Sequence, residues 1–278
     1  MIDMLVRARL FASCLILLML VACGSPPPRQ PEALDRARKT EQAAYRAMRE
    51  GDLPRARELF AQARTMQQAL ENIADASLDT INLATVLHKL GKDADALQAL
   101  HAILTEANHL VTEDMKAAAA FRSAVILLDG NRLQEAADSI TLANRYCHNN
   151  CVLQPGLKNL QARIALQQEK PEEALALASQ VIGNGSMPEE QANANRTAAM
   201  AALVLNKPAL ALQYYETALQ LDKSLALSGR IAEDLEGSAA ALQKLGKPEL
   251  AAGFTQRAAD VRSAYKLLQE HSTSKSVR

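Results

Sequence analysis

The stretch Ala199–Ala218, AMAALVLNKPALALQYYETA, sets the pattern that decides the fold. It predicts two helices folded back on each other around the turn 206–208, because Asn readily ends a helix and Pro readily starts one. Tyr215 is the one large residue on the inner stripe of the second helix. Small residues stand where the two helices must cross closely: Ala199, Ala202, Ala211 and Ala218.

A pair of alanines twelve residues apart marks this hairpin, and the same pair recurs along the chain. The six pairs are Ala44 and Ala56, Ala84 and Ala96, Ala124 and Ala136, Ala162 and Ala174, Ala199 and Ala211, and Ala239 and Ala251. Their first alanines are 40, 40, 38, 37 and 40 residues apart, and each pair brackets a Gly, Asn or Pro turn signal. A repeat at this period predicts six helical hairpins over residues 32–270.

The repeated residues resemble a known family. Gly-x-x-x-x-Ala-x-x-x-Φ, where Φ is a large apolar or aromatic residue, is the turn and second-helix core of the tetratricopeptide repeat. The matching residues are Gly51, Ala56, Phe60 and Ala63, then Gly91, Ala96 and Leu100, and, without the glycine, Ala211, Tyr215 and Ala218. The spacing here is longer than the family's 34 residues, and its closing proline is mostly missing. The resemblance implies an all-α, right-handed α-solenoid of about six hairpins.

The composition agrees with helices and gives no support for nucleic-acid binding. Hydrophobic residues make up 49% of the chain, but aromatic residues only 3%. Ala and Leu lose little entropy in a helix, whereas sheets favour β-branched and aromatic residues. The 31 basic residues balance the 31 acidic ones. We therefore expect no nucleic-acid partner, because phosphate binding needs a basic excess.

The N-terminus predicts a signal peptide over residues 1–22. Arg7 and Arg9 precede the apolar run 10–20, which is too short for a transmembrane helix. The following Leu-Val-Ala-Cys-Gly ends at Gly24 and resembles the lipobox of bacterial lipoproteins, in which the cysteine, here Cys23, is lipidated. The alternative is an ordinary signal peptide with a chance cysteine.

A lipoprotein would carry its fold on a short tether. Residues 23–31 then form the lipidated cysteine and a proline-rich spacer, which favours an extended chain. Gly24, where inner-membrane lipoproteins carry Asp, implies an outer-membrane location facing the periplasm. The polar residues 271–278 are expected to be a flexible tail.

Two cysteines remain for the folded part, Cys147 and Cys151. In an oxidising compartment they predict a local disulfide that stiffens the connection between the third and fourth hairpins. The alternative is a metal or redox site formed by the two thiolates and His148, although no fourth ligand lies near in sequence.

The remaining candidate residues lie on the first helices of the hairpins, which line the concave surface of such arrays. The predicted partner-binding residues are Tyr45, His88, Phe121, Asn159, Arg163, Arg196 and Met200. The alternative for each is packing between neighbouring helices. Catalytic and phosphate-binding motifs are missing from the sequence, so we predict no enzyme, no catalytic residue, no cofactor and no metal site.

These features together predict a membrane-anchored adaptor that binds protein or peptide segments of an envelope complex. Two alternatives come from other classes of protein. One is a lipoprotein that binds a metal or small molecule through Cys147, His148 and Cys151. The other is a self-associating structural protein, in which residues 271–278 of one copy fill the groove of another.

Overall fold

The computed structural model describes residues 31–147, 151–183, 185 and 187–276, with side chains up to residue 267. These residues form twelve α-helices and no strand. The helices are α1 Glu32–Glu50, α2 Leu53–Ala69, α3 Ile73–Lys89, α4 Asp93–Thr105, α5 Glu113–Asp129, α6 Leu133–Tyr146, α7 Gln154–Gln167, α8 Pro171–Ile182, α9 Pro188–Val204, α10 Pro208–Ser224, α11 Ser228–Lys244 and α12 Pro248–Ser276. The predicted signal peptide and Cys23 lie outside the described residues.

The twelve helices pair into six hairpins that stack in chain order. Each helix packs against the next one along the chain, within a hairpin and between hairpins. The first helices of neighbouring hairpins also contact one another from α3 to α11, so they form the inner layer of the array. Helix α12 contacts α1 as well, which brings the two ends of the array together. The predicted all-α solenoid of six hairpins is confirmed.

The paired alanines lie where the helices cross. All twelve are buried, with exposed fractions between 0% for most of them and 5% for Ala239. A larger side chain at these positions would push the helices apart, because protein interiors are close-packed. Large residues fill the next position of the second helix, among them Phe60, Leu100 and Tyr215, which are at most 5% exposed. The alanine spacing therefore reports helix crossings and marks no binding site.

One residue in each turn adopts the left-handed backbone conformation. These residues are Gly51, Gly91 and Gly246, with φ of 81°, 72° and 70°, and Asn131, Glu169 and Asn206, with φ of 56°, 61° and 56°. Glycine and asparagine favour this conformation, as the sequence predicted for five of the turns. The fourth turn differs, since Glu169 ends its helix in a conformation that costs a non-glycine residue about 1–2 kcal/mol.

The last helix is longer than the sequence predicted. Helix α12 continues to Ser276, six residues past the predicted boundary at 270. It contains no proline after Pro248 and no glycine after Gly253, so nothing in its sequence ends it earlier. None of the helices in the described part of the chain is long and apolar enough to cross a membrane.

Candidate functional site

A cavity of about 430 Å³ opens on the inner layer of the array, between α5, α7, α9 and α11. Each of these helices contributes side chains from its inward face, because residues three and four apart lie on one side of a helix. Five of the seven predicted partner-binding residues line it: Phe121, Asn159, Arg163, Arg196 and Met200. Tyr45 and His88 lie outside it.

The apolar part of the cavity wall is formed by Phe121, Val125 and Met200. Phe121 from α5 packs directly over Gly156 of α7, where a Cβ atom would lie 2.9 Å from the ring carbons. Residue 156 therefore has to be glycine for the ring to hold this position. Met200 is 40% exposed, so its flexible side chain is open to a ligand.

Arg122 is a cavity residue that the sequence-based prediction missed. Its Nε atom is buried and has no hydrogen-bond partner among the described residues. Burial lowers the pKa of Arg122. The negative charges of Glu189, Asp129 and Glu190 raise this pKa, but they offset the effect of burial only in part. The guanidinium stays charged, because arginine does not deprotonate in proteins. A signal was present in the sequence, since Arg122 is the one charge in the apolar run 117–128.

Asn159 holds one of the cavity's carboxylates. Its Nδ2 atom donates to Oε2 of Glu190 at 2.6 Å and to the backbone oxygen of the same residue at 2.9 Å. Burial raises the pKa of Glu190. The Oδ1 atom of Asn159 is buried and has no partner among the described residues, which leaves a hydrogen-bond acceptor unsatisfied.

Arg163 and His88 meet at Asp129. Arg163 donates to Oδ1 of Asp129 at 2.7 Å, and Nε2 of His88 lies 3.2 Å from Oδ2. Burial would raise the pKa of Asp129, but the hydrogen bonds from Arg163 and His88 outweigh it and lower the pKa. The three residues come from α7, α3 and α5, so this cluster joins three successive hairpins at one end of the cavity.

Arg196 has a different environment from the one the sequence suggested. Its guanidinium is buried and donates from Nε to Oδ1 of Asp234 at 2.8 Å, and from a terminal nitrogen to Asp222. Burial raises the pKa of Asp234. These contacts tie α9 to α10 and α11 and use the donors that we expected to face a peptide. Arg196 therefore builds the floor of the cavity.

Tyr45 lies in the first hairpin, away from the cavity. Its hydroxyl oxygen accepts a hydrogen bond from Nδ2 of Asn82 at 2.6 Å, and its ring stands edge-on to Phe60 with the centroids 5.1 Å apart. The residue is half-buried between α1, α2 and α3. This environment matches the alternative given above for each candidate residue, packing between neighbouring helices.

Cys147 and Cys151 form a disulfide, with their Cα atoms 5.3 Å apart. Cys147 is buried at the end of α6 and packs with the core of the third hairpin. His148, the third ligand of the alternative metal site, lies outside the described residues. Within the described ranges, no three His, Cys, Asp or Glu side chains come together in a way that could hold a metal ion.

Comparison with solved structures identifies the fold. A Rap protein complexed with competence and sporulation factor matches with a TM-score of 0.59 at 15% identity, covering 84% of this chain and 67% of its own. The apo form of RapI matches with a TM-score of 0.64 at 12% identity, covering 86% and 87%. YrrB, a TPR protein with an unusual peptide-binding site, matches at 17% identity over 75% and 97%. Its TM-score is 0.42.

No protein-family model matches the sequence, and no curated protein sequence matches it either. The identities to the solved structures are low enough that the likeness concerns the fold alone. On that evidence the chain has the fold of an α-helical hairpin repeat, which its repeated alanines and turns predicted.

Proposed function

We propose that this protein is an adaptor of the bacterial envelope that binds an extended peptide segment of a partner protein in the α5–α11 cavity. The proposal treats the chain as a lipoprotein, anchored by Cys23 in the outer membrane and facing the periplasm. Its role there is to assist assembly of an envelope complex. Binding of this kind requires no catalysis and no cofactor.

The observation that carries the proposal is the pair of unsatisfied polar atoms in the cavity. The Nε atom of Arg122 and the Oδ1 atom of Asn159 are both buried without a partner among the described residues. A buried polar group left unpaired costs about 1–3 kcal/mol. A peptide backbone offers both a carbonyl acceptor for Arg122 and an N–H donor for Asn159. Because both atoms are covered in the free chain, the two side chains have to turn towards the cavity on binding, and the new hydrogen bonds would then recover that free energy.

The apolar wall supplies the rest of the binding site. An extended segment presents alternate side chains to opposite sides, so one of them can enter beside Phe121, Val125 and Met200 while its backbone meets the polar atoms. Glu189 lies exposed at the rim, where it favours a ligand with a cationic side chain at that end. The expected ligand is therefore an extended segment with an apolar residue beside a basic one.

Site-specific photo-crosslinking in intact cells tests the proposal. A photoreactive amino acid at Met200 should give a discrete crosslinked product, because this side chain opens into the cavity. The same amino acid at Leu250, which is 56% exposed and does not line the cavity, is the position control. Arg122→Met should lower the yield at residue 200 by about tenfold through loss of a charge-assisted hydrogen bond.

Arg262→Met is the matched control for that substitution, because Arg262 pairs with Glu236 on the surface and is 52% exposed. It should leave the yield unchanged. Equal products from residues 200 and 250, or a yield at residue 200 that does not respond to Arg122→Met, would contradict the proposed site.

A further inference from the structure

The connections between hairpins carry exposed apolar side chains at regular intervals. Five connections join the six hairpins, and each holds one large apolar residue that is at least 36% exposed. These residues are Leu70 (42%), Leu110 (47%), Val152 (68%), Met187 (56%) and Leu225 (36%). All five connections lie at one edge of the array, because each second helix ends there and the next first helix begins there. We call this the connection edge.

The opposite edge is different. It is formed by the six turns within the hairpins, around residues 51, 91, 131, 169, 206 and 246, and we call it the turn edge. In the turns themselves, no large apolar residue of the described chain is 36% exposed or more. Two such residues lie in the helices next to a turn: Val204, beside the turn at 206, is 64% exposed, and Leu250, beside the turn at 246, is 56% exposed. Single exposed apolar residues are ordinary on a protein surface. The connection edge differs, because an exposed apolar residue lies in every one of its five connections and the five together form a row.

The start of the described chain lies at the connection edge as well. Pro31 precedes α1, the first helix of the first hairpin, and therefore lies beside the same edge. Eight peptide links separate it from Cys23, a span of at most about 28 Å for a fully extended chain. A first helix of 17 residues, such as α9, is about 25 Å long, so the turn edge stands that much farther from the anchor.

We infer that the connection edge rests on the lipid bilayer, with its row of apolar side chains entering the headgroup region. This inference depends on the proposed lipid anchor at Cys23. The tether of the anchor joins the folded chain at this edge and brings it nearest to the membrane, and the row supplies apolar area at the depth where amphipathic surfaces bind. Membrane contact along this edge would hold the α5–α11 cavity at a fixed height and orientation for a partner in the periplasm.

The charges of the edge define which lipids fit it. Exposed carboxylates flank the row, among them Glu71, Glu106 and Glu113. An anionic bilayer would repel these groups within a Debye length of about 8 Å at physiological salt. The edge therefore fits a zwitterionic surface, and contact should weaken as anionic lipid is added.

Fluorescence quenching by brominated lipids tests the inference, since the chain contains no tryptophan. The lipidated full-length chain is reconstituted in phosphatidylcholine vesicles with one new tryptophan at a time. Val152→Trp and Met187→Trp probe the connection edge. Val204→Trp and Leu250→Trp are matched controls at the turn edge, with starting exposures of 64% and 56% against 68% and 56%.

Brominated acyl chains should lower the fluorescence of the two connection-edge tryptophans by about twofold, because interfacial side chains reach about 5–10 Å into the headgroup and acyl boundary. The turn-edge tryptophans should not respond, and phosphatidylglycerol should reduce the quenching at residues 152 and 187. Equal quenching at both edges, or no quenching in a chain that sediments with the vesicles, would overturn the inference and leave the anchor intact.

Two further results would refute membrane contact in different ways. A chain that stays in the supernatant as fully as Cys23→Ser does would refute the anchor and the membrane contact together, without bearing on the cavity. A blue-shifted emission at residues 152 and 187 without vesicles, accompanied by a dimer mass in light scattering, would assign the edge to a second copy of the chain and overturn membrane contact.

Discussion

At the scale of single residues, burial gives acidic residues that look alike in the sequence different pKa values. Asp79 of α3 is 1% exposed, and neither of its carboxylate oxygens has a hydrogen-bond partner among the described residues. Burial and the neighbouring carboxylates of Glu41 and Asp75 raise the pKa of Asp79 to about 7, and Arg64 only partly offsets them. The first hairpins thus contain an acidic group that is protonated in the folded chain below about pH 7.

This arrangement predicts a stability that increases as the pH falls. The raised pKa means that the folded chain binds a proton between the unfolded pKa near 4 and the folded value near 7, whereas the unfolded chain does not. The free energy of unfolding should therefore rise by about 2 kcal/mol from this group between pH 8 and pH 5.5. Asp79→Asn should remove that part of the pH dependence and raise the stability at pH 8.

Thermal unfolding followed by circular dichroism at the two pH values measures both effects. Asp138→Asn serves as the control, because Asp138 is an exposed carboxylate on α6. An Asp79→Asn chain whose melting temperature changes with pH as much as that of the unmodified chain would disprove the assignment.

At the scale of helices, close packing decides where small residues are required. Gly237 of α11 lies against the ring of Tyr215 from α10, and a Cβ atom at 237 would come within 2.2 Å of that ring. Tyr215 is 5% exposed, so its ring is enclosed by neighbouring residues. Gly253 of α12, by contrast, has nothing within 4 Å of its Cβ position. Packing against Tyr215 therefore requires a glycine at position 237, whereas nothing in the packing requires one at position 253.

Alanine substitutions should separate the two glycines. Gly237→Ala is expected to destabilise the protein by about 1–3 kcal/mol, since overpacking outweighs the better helix propensity. Gly253→Ala should stabilise it by up to about 1 kcal/mol through propensity alone. Urea unfolding gives both values, and a Gly237→Ala chain at least as stable as Gly253→Ala would contradict the packing described for Tyr215.

At the scale of the whole molecule, burial decides how much an ion pair between helices contributes to stability. Arg196 links α9 to Asp222 and Asp234, and its side chain is 9% exposed while theirs are 2% and 0% exposed. Arg163 and Asp129 also join neighbouring hairpins, but their side chains are 34% and 38% exposed. Removing one partner of a buried pair leaves an uncompensated charge, whereas water compensates an exposed one.

Arg196→Met should therefore cost about 3–5 kcal/mol, and Arg163→Met less than about 1 kcal/mol. A repeat array is stabilised chiefly by contacts between neighbours, so the loss should concentrate near the substitution. Hydrogen exchange in the Arg196→Met chain should increase in α9 to α12 and remain slow in α3 and α4. Two results would contradict this assignment: hydrogen exchange that increases uniformly along the Arg196→Met chain, or equal losses of stability in Arg196→Met and Arg163→Met.

The sequence predicted the helices closely, and it predicted some of the residues that line the cavity. The six turns lie between the paired alanines as predicted, because alanine spacing and turn residues act locally. Only Glu169 and the length of α12 departed from the expected signals. The cavity residues depend on contacts across the array. Phe121 and Met200 were on the inner face as predicted and stay candidates for binding, whereas Arg122 was missed.

The amino-acid sequence by itself determined that this chain forms six helical hairpins, because helix periodicity, helix ends and close-packed alanines are set by residues a few positions apart. The tertiary structure decided which inner-layer charges are paired. Arg196 meets aspartates 26 and 38 residues away, while the Nε atom of Arg122 meets no acceptor in the described part of the chain. Such pairing depends on how the helices pack within and between hairpins, and no local pattern encodes that packing.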